Sequence, residues 1–90
     1  MENIALSLKD AEFFLKDHGR HYSFHVEPFC AIGIRDEEGL HGVALIGCLD
    51  SENAQISHIY VDGSFQGYSI LYGCCVRAVM ALGYKRLILK

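Results

Sequence analysis

The 90-residue sequence lacks several features that would assign it to a specialised class of protein. It has no CxxC pair, no cluster of basic residues, and no repeat, linker or low-complexity tract. Eight Lys and Arg against eleven Asp and Glu give a formal net charge of −3. Because a protein that coats DNA carries a basic surface, this composition argues against such a role.

The chain also lacks targeting and membrane signals. It opens without the charged and then apolar segments of a signal peptide, and its apolar run 70–82 is interrupted by Arg77 and too short to span a bilayer. Three of the four cysteines lie in apolar runs, which is typical of buried free thiols in a reducing compartment. We therefore expect a cytoplasmic protein. The cysteines are Cys30, Cys48, Cys74 and Cys75.

Apolar residues, by contrast, are abundant. Hydrophobic side chains make up 51% of the sequence and aromatic ones 11%. A short chain buries a smaller fraction of its surface than a mid-sized domain, so this content exceeds what one copy readily hides. We expect a single domain, 1–90, of marginal stability that associates with a second copy.

The first two thirds of the sequence predict a helix followed by three strands. Ser7 with Asp10 three residues later is typical of a helix start, and apolar residues at helical spacing continue to Gly19. Residues 29–35, 40–49 and 55–61 predict an antiparallel meander. Its middle strand carries Val43, Leu45 and Leu49 on one face and Ala44, Ile46 and Cys48 on the other, which places it centrally.

A glycine-containing loop, 62–69, then leads into a second predicted helix, 70–82, that ends at Gly83. Residues 84–89 predict a strand parallel to the third one, because a short return after a helix favours a right-handed crossover. The predicted fold class is α/β (α+β), in the order α-β-β-β-α-β. Within the second helix, core packing is the favoured interpretation of Cys74 and Cys75, and Arg77 marks the solvent-facing stripe, with partner binding as the alternative.

The loop 62–69 is the segment best suited to bind an anion. A loop that begins a helix presents unpaired backbone amides and the positive end of the helix dipole. Gly63, Gly67 and Ser69 allow a pyrophosphate to approach the backbone. A plain connection remains the alternative, since most loops of this kind bind nothing.

The stretch IYVDGSFQGYSILYGCCVRAVMALGYKRLIL resembles the acetyl-CoA motif of the GNAT superfamily of N-acetyltransferases, in which a Q/R-x-x-G-x-G/A loop cradles the pyrophosphate. Gln66 and residues 81–84 match that motif, whereas Ser69 and Leu71 replace loop glycines. Residues 61–64 and 68–73 are more similar still to a phage-associated branch, the XF-type acetyltransferases related to Mom-type DNA-modification proteins. The resemblance implies a GNAT-like partial fold that binds acetyl-CoA. The implied binding residues are Tyr60, Val61, Gln66, Gly67, Tyr68, Ser69 and Ile70.

The resemblance also points to candidate catalytic residues. GNAT proteins commonly carry a carboxylate and an arginine in the strand before the loop, where this chain has Gln55 and His58. His58, whose ring titrates near neutral pH, is the candidate base for acetyl transfer to an amine, and Tyr72 is a candidate acid. Simple packing is the alternative interpretation of both side chains.

Three further histidines precede the first strand. His18, His21 and His25 resemble a histidine-rich stretch of the phage-associated branch and are candidates to line an acceptor site. Their irregular spacing does not predict a metal site.

The leading hypothesis is thus an acetyl-CoA-dependent N-acetyltransferase, or a remnant of one that still binds the cofactor. Because the family fold continues with another helix and two strands, the resemblance predicts a truncated domain whose exposed last strand forms a homodimer. One alternative is a catalytically inactive interaction protein, such as a phage- or mobile-element-encoded inhibitor. A second is a DNA-modification accessory, against which the acidic charge weighs.

Overall fold

The computed structural model of the protein describes residues 2–20, 27–63 and 65–89, which form a mixed five-stranded sheet with a helix on each face. The strands lie in the sheet in chain order, so β3 is central. Strands β1 to β4 are antiparallel neighbours, and β5 runs parallel to β4. The predicted fold class is confirmed. The elements are β1 (Glu2–Leu6), α1 (Leu8–Asp17), β2 (Pro28–Asp36), β3 (Gly39–Cys48), β4 (Asn53–Val61), α2 (Phe65–Ala81) and β5 (Arg86–Leu89).

Strand β1 is absent from the predicted order. It forms one edge of the sheet and pairs antiparallel with β2, from Glu2 opposite Arg35 to Leu6 opposite Ala31. The sequence of this strand offers only Ile4 and Leu6 as an alternating apolar pair. Such a short pattern does not distinguish a strand from the approach to a helix.

Helix α1 begins where the sequence indicates. Ser7 is its N-cap, and the Ser7 Oγ accepts a hydrogen bond from the backbone amide of Asp10 at 3.0 Å. Leu15 is fully buried whereas Phe13 is 73% exposed, so the helix presents one apolar face to the sheet. The buried residues of this first core cluster are Ala11, Phe14, Leu15, Ala31, Val43 and Leu45.

Helix α2 covers the opposite face of the sheet and ends, as predicted, at Gly83, which has a φ of +98°. Because successive strand residues alternate, Val43 and Leu45 of β3 pack toward α1 while Ala44 and Ile46 pack toward α2. The prediction that β3 is apolar on both faces is therefore confirmed. The buried residues of the second core cluster are Ile34, Ala44, Ile46, Ala54, Ile56, Leu71, Cys75 and Val79.

The start of α2 differs from the prediction. The helix begins at Phe65 and not at Ile70, so residues 66–69 are helical and the connection from β4 spans only residues 62–64. Glycine has a low helix propensity, and Gly67 is therefore the reason that the sequence predicts a loop in this segment. In the described ranges 2–20, 27–63 and 65–89, neither helix combines the length and the apolar character needed to cross a membrane.

Candidate functional site

A β-bulge divides β4 into two parts. Leu45 of β3 lies opposite His58, whereas the next residue of β3, Ile46, lies opposite Ile56. Ser57 is thus the additional residue on β4. A bulge bends its strand and increases the local twist, so the second half of β4 takes a different direction from the first.

The bulge also changes which β4 side chains share a face. Ile56 packs in the second core cluster with Ile59 and Val61, on the α2 side. Tyr60 packs with the first cluster, on the α1 side, and alternation places His58 on that side too. A regular alternation along β4 would put Ile56 on the face of His58 and Tyr60, but the extra residue shifts the pattern by one.

The described pairing between β4 and β5 extends to the residue before the bulge, where β5 ends at Leu89. The two strands pair from Asn53 opposite Arg86 to Ile56 opposite Leu89. Beyond Ile56, β4 continues to Val61, and no strand among residues 2–20, 27–63 and 65–89 runs beside it on the β5 side. Within the described residues, the sheet therefore has an opening between the second half of β4 and the end of β5.

The first turn of α2 lies at this opening. It contains no acidic residue, and the first amides of any helix lack partners within the helix. Ser69 and Ile70 are in the second turn, where helix geometry directs their amides to the carbonyls of Phe65 and Gln66. The Ser69 backbone amide therefore lies inside a helix and not in a loop. Of the remaining predicted contacts in α2, Gln66 and the Ser69 side chain are exposed, Tyr68 is half-buried and Gly67 is buried.

On the α1 side, aromatic and cationic groups gather over β4. His18 stacks on Phe14 with ring centroids 4.1 Å apart, and its ring lies 5.6 Å from that of Tyr60. The Arg20 guanidinium carbon lies 4.2 Å from the Tyr60 ring centre, within the range of a cation–π contact. His18, one of the three predicted acceptor-site histidines, therefore borders β4, while His21 and His25 lie outside the described residues.

The two candidate catalytic residues are on opposite faces of the sheet. His58 is half-buried on the α1 side, and both burial and the positive charge of Arg20 lower its pKa. A lowered pKa keeps the imidazole neutral near pH 7, which is the form that accepts a proton. Tyr72 packs against the second core cluster on the α2 side, so the structure does not bring it to His58.

A histidine–carboxylate cluster lies at the end of the sheet where β4 leads into α2. His41 Nε2 is 2.7 Å from Asp36 Oδ1, and His41 Nδ1 is 3.2 Å from Asp62 Oδ1. His18 Nε2 is 3.7 Å from Asp62 Oδ2. No sequence motif indicates this cluster, because its members are far apart in the chain and only the fold brings them together. Within residues 2–20, 27–63 and 65–89, no three His, Cys, Asp or Glu side chains form a group that holds a metal ion.

All four cysteines are free, and two of them belong to the core as predicted. Cys74 and Cys75 are buried, and burial raises the pKa of the Cys75 thiol to about 12, so it stays protonated. Cys48 is exposed at the end of β3, which corrects the expectation of a buried thiol there. Arg77 is exposed as predicted, and its Nη2 donates to the Cys74 Sγ at 3.3 Å.

No family model and no curated protein matches the sequence. The structure is similar to the crystal structure of ribosomal-protein-alanine N-acetyltransferase from Brucella melitensis biovar Abortus 2308, with a TM-score of 0.70 and 19% sequence identity. The similarity covers 99% of this chain and 78% of that one. The protein therefore has a GNAT-like fold, and the fold implied by the sequence resemblance is confirmed.

Proposed function

We propose that the protein binds acetyl-CoA in the opening between β4 and β5, with the pyrophosphate at the first turn of α2. The observation that carries this proposal is the bulge at Ser57, which separates the half of β4 paired with β5 from the half that leads into α2. The acetyltransferase fold supports the same ligand. A helix start without acidic residues favours an anion electrostatically.

The groups around the opening fit the parts of acetyl-CoA. The pantetheine arm contains amides, which can hydrogen-bond to an exposed strand edge as an added strand does. The edge of residues 58–61 on the β5 side offers such a surface. Gln66 is exposed in the first turn of α2 and can donate its carboxamide to a phosphate oxygen.

The proposed reaction is acetyl transfer to an amine. The amine nitrogen forms a bond to the carbonyl carbon of the thioester, the carbon–sulfur bond breaks, and the sulfur leaves as the CoA thiolate. His58 accepts the proton that the attacking nitrogen loses, because its imidazole is neutral near pH 7. The acceptor approaches from the α1 side, where His18, Arg20 and Tyr60 border β4.

Calorimetric titration of acetyl-CoA into the wild-type protein and a Gln66→Glu variant tests the proposal. A carboxylate in the first turn of a helix does not destabilise the helix, but it repels a bound pyrophosphate. We expect saturable binding by the wild type and roughly three- to tenfold weaker binding by Gln66→Glu, as for unit charges a few ångströms apart in water. Added salt should reduce the difference.

The matched control is Ser51→Asp, which adds the same charge in the exposed β3–β4 turn, at the other end of β4. It should bind acetyl-CoA like the wild type. Equal weakening by both variants would contradict a phosphate site at α2, and no binding by the folded wild-type protein would contradict the proposed function.

We also propose a homodimer formed through the outer edge of β5. This strand pairs with β4 on one side only in the described part of the chain, and apolar side chains flank its free edge. Pairing of two β5 strands would cover them. The same surface is the basis of the alternative function, a catalytically inactive GNAT-like interaction protein. Ile88 and Leu89 of β5 are exposed, as are Met80 and Leu82 at the end of α2.

Light scattering on the purified protein should give twice the mass of one chain. Ile88→Lys places a charge in the dimer contact and should shift the protein toward the monomer. Asn3→Lys places the same charge on β1, at the other edge of the sheet, and should leave the dimer intact. A wild-type monomer at the concentrations of the calorimetric experiment would refute the dimer.

A further inference from the structure

We propose that His41 is a positioning residue which, as an imidazolium, holds Asp62, balances its negative charge and thereby favours an anionic ligand at the start of α2. Asp62 is the first residue after β4, and Phe65 begins the helix three residues later. This inference rests on the proposed acetyl-CoA site, since it concerns the end of α2 where the pyrophosphate is placed.

The geometry around His41 requires both ring nitrogens to donate. Its Nε2 faces an oxygen of Asp36 at 2.7 Å and its Nδ1 faces an oxygen of Asp62 at 3.2 Å. An ionised carboxylate only accepts hydrogen bonds, and a neutral imidazole has one donor. Both contacts are hydrogen bonds only when the ring is doubly protonated and positively charged.

The bond to Asp62 has a consequence for α2. Asp62 lies three residues before Phe65, so its negative charge is close to an anion bound at the start of the helix. The hydrogen bond to His41 holds the Asp62 carboxylate, and the positive charge of the imidazolium balances its negative charge. The other oxygen of Asp62 lies 3.7 Å from His18. An anion at the start of α2 then meets less repulsion.

Charged and titratable groups reach this cluster from three directions. Asp36 comes from the end of β2 and also accepts from the Glu38 amide, Asp62 comes from the β4–α2 connection, and His18 comes from the end of α1. The hydrogen bond to Asp36 raises the pKa of His41, with a further contribution from Asp62. His41 in turn lowers the pKa of Asp36, together with the Glu38 amide.

These pKa shifts define the pH range over which the charged His41 ring holds Asp62. Because the pKa of His41 is raised, the stability that the charged ring contributes is fully present below the ordinary histidine pKa, about 6.5. It is lost as pH rises through the raised pKa. Because the pKa of Asp36 is lowered, the stability that its ionised carboxylate contributes is lost only as pH falls through that lowered pKa. Acetyl-CoA affinity should therefore decrease as pH rises through the pKa of His41.

The first arm of the test needs no ligand. Nitrogen NMR of the histidine rings should show His41 with both nitrogens protonated at neutral pH, titrating above the ordinary value of about 6.5. Asp36→Asn removes the stronger charged partner and should lower that titration midpoint, while its side-chain oxygen can still accept from the Glu38 amide. A His41 ring that is neutral at pH 7, or a titration midpoint that Asp36→Asn does not change, would refute the proposal that charged His41 holds Asp62.

The second arm measures acetyl-CoA affinity by calorimetry from about pH 6 to about pH 9, a range that brackets the histidine titration. Wild-type affinity should fall roughly three- to tenfold across this range, the effect of one unit charge at short range. His41→Gln should bind weakly at every pH. His41→Arg keeps the positive charge and two donors, so it should bind tightly at every pH. Ionisation of acetyl-CoA itself affects the affinities of all three proteins equally, so it does not alter the comparison between them.

The outcomes separate the two proposals. If His41→Gln binds like the wild type with the same pH dependence, the positioning role of His41 is refuted while the acetyl-CoA site stands. If no variant binds acetyl-CoA although all are folded, the proposed function is refuted, and with it any effect of His41 on the ligand. The NMR arm still reports in that case whether the charged His41 holds Asp62.

Discussion

Replacing Ile46 with alanine is expected to lower the free energy of unfolding by about 2 to 5 kcal/mol, the usual cost of such a truncation in a core. Ile46 is fully buried against α2 and lies opposite Ile56 at the β4 bulge. Domains of this size have only about 5 to 15 kcal/mol of stability in total, so the loss is a large fraction. Urea denaturation measures it directly.

The matched control makes the same chemical change at the surface. Ile88 of β5 is 36% exposed, and Ile88→Ala should cost well under half of the Ile46→Ala value. Both proteins must be compared at concentrations that give the same oligomeric state, because Ile88 lies in the proposed dimer contact. Similar losses from the two variants would show that Ile46 does not occupy a tightly packed core.

Replacing His58 with glutamine is expected to reduce the rate constant of acetyl transfer by roughly 10²- to 10⁴-fold, the usual contribution of a general base. Acetyl-CoA affinity should not change, since the pyrophosphate is proposed to lie at α2. Product formation with a panel of small amines and peptide amino termini, followed by mass spectrometry, identifies a suitable acceptor and then provides the rate.

The pH dependence distinguishes a base from a packing residue. Because the pKa of His58 is lowered, the wild-type rate should rise with pH through a value below the ordinary one of about 6.5 and then level off. His58→Gln should lose that inflection. A variant with the wild-type rate and the same inflection would exclude His58 as the base and favour its interpretation as a packed sheet residue.

The features predicted correctly from the sequence depend on local signals. Ser7 and Gly83 mark helix ends through hydrogen bonds and backbone angles within a few residues, and both are confirmed. The two-sided apolar pattern of β3 is equally local, because burial on both faces shows directly in composition. These signals predict the order of all six elements from α1 to β5, but not the start of α2.

The features that were missed depend on pairing between distant segments. The bulge at Ser57 exists only relative to β3, and nothing in the sequence of β4 alone marks the extra residue. Strand β1 is specified by its pairing with β2 rather than by its own short pattern. The contacts of His41 with Asp36 and Asp62 require the ends of three strands to meet, so the cluster was visible only in the folded protein.

The central claim is that acetyl-CoA occupies the opening between β4 and β5 with its pyrophosphate at α2, and an amide NMR titration with acetyl-CoA tests it most directly. Saturable changes in amide chemical shift should concentrate in the second half of β4 and the first two turns of α2, residues 57–70. The amide chemical shifts of β1, at the far edge of the sheet, should stay unchanged. A folded protein that shows no saturable shifts, or shifts centred on β1 and the β2–β3 turn, would contradict the account.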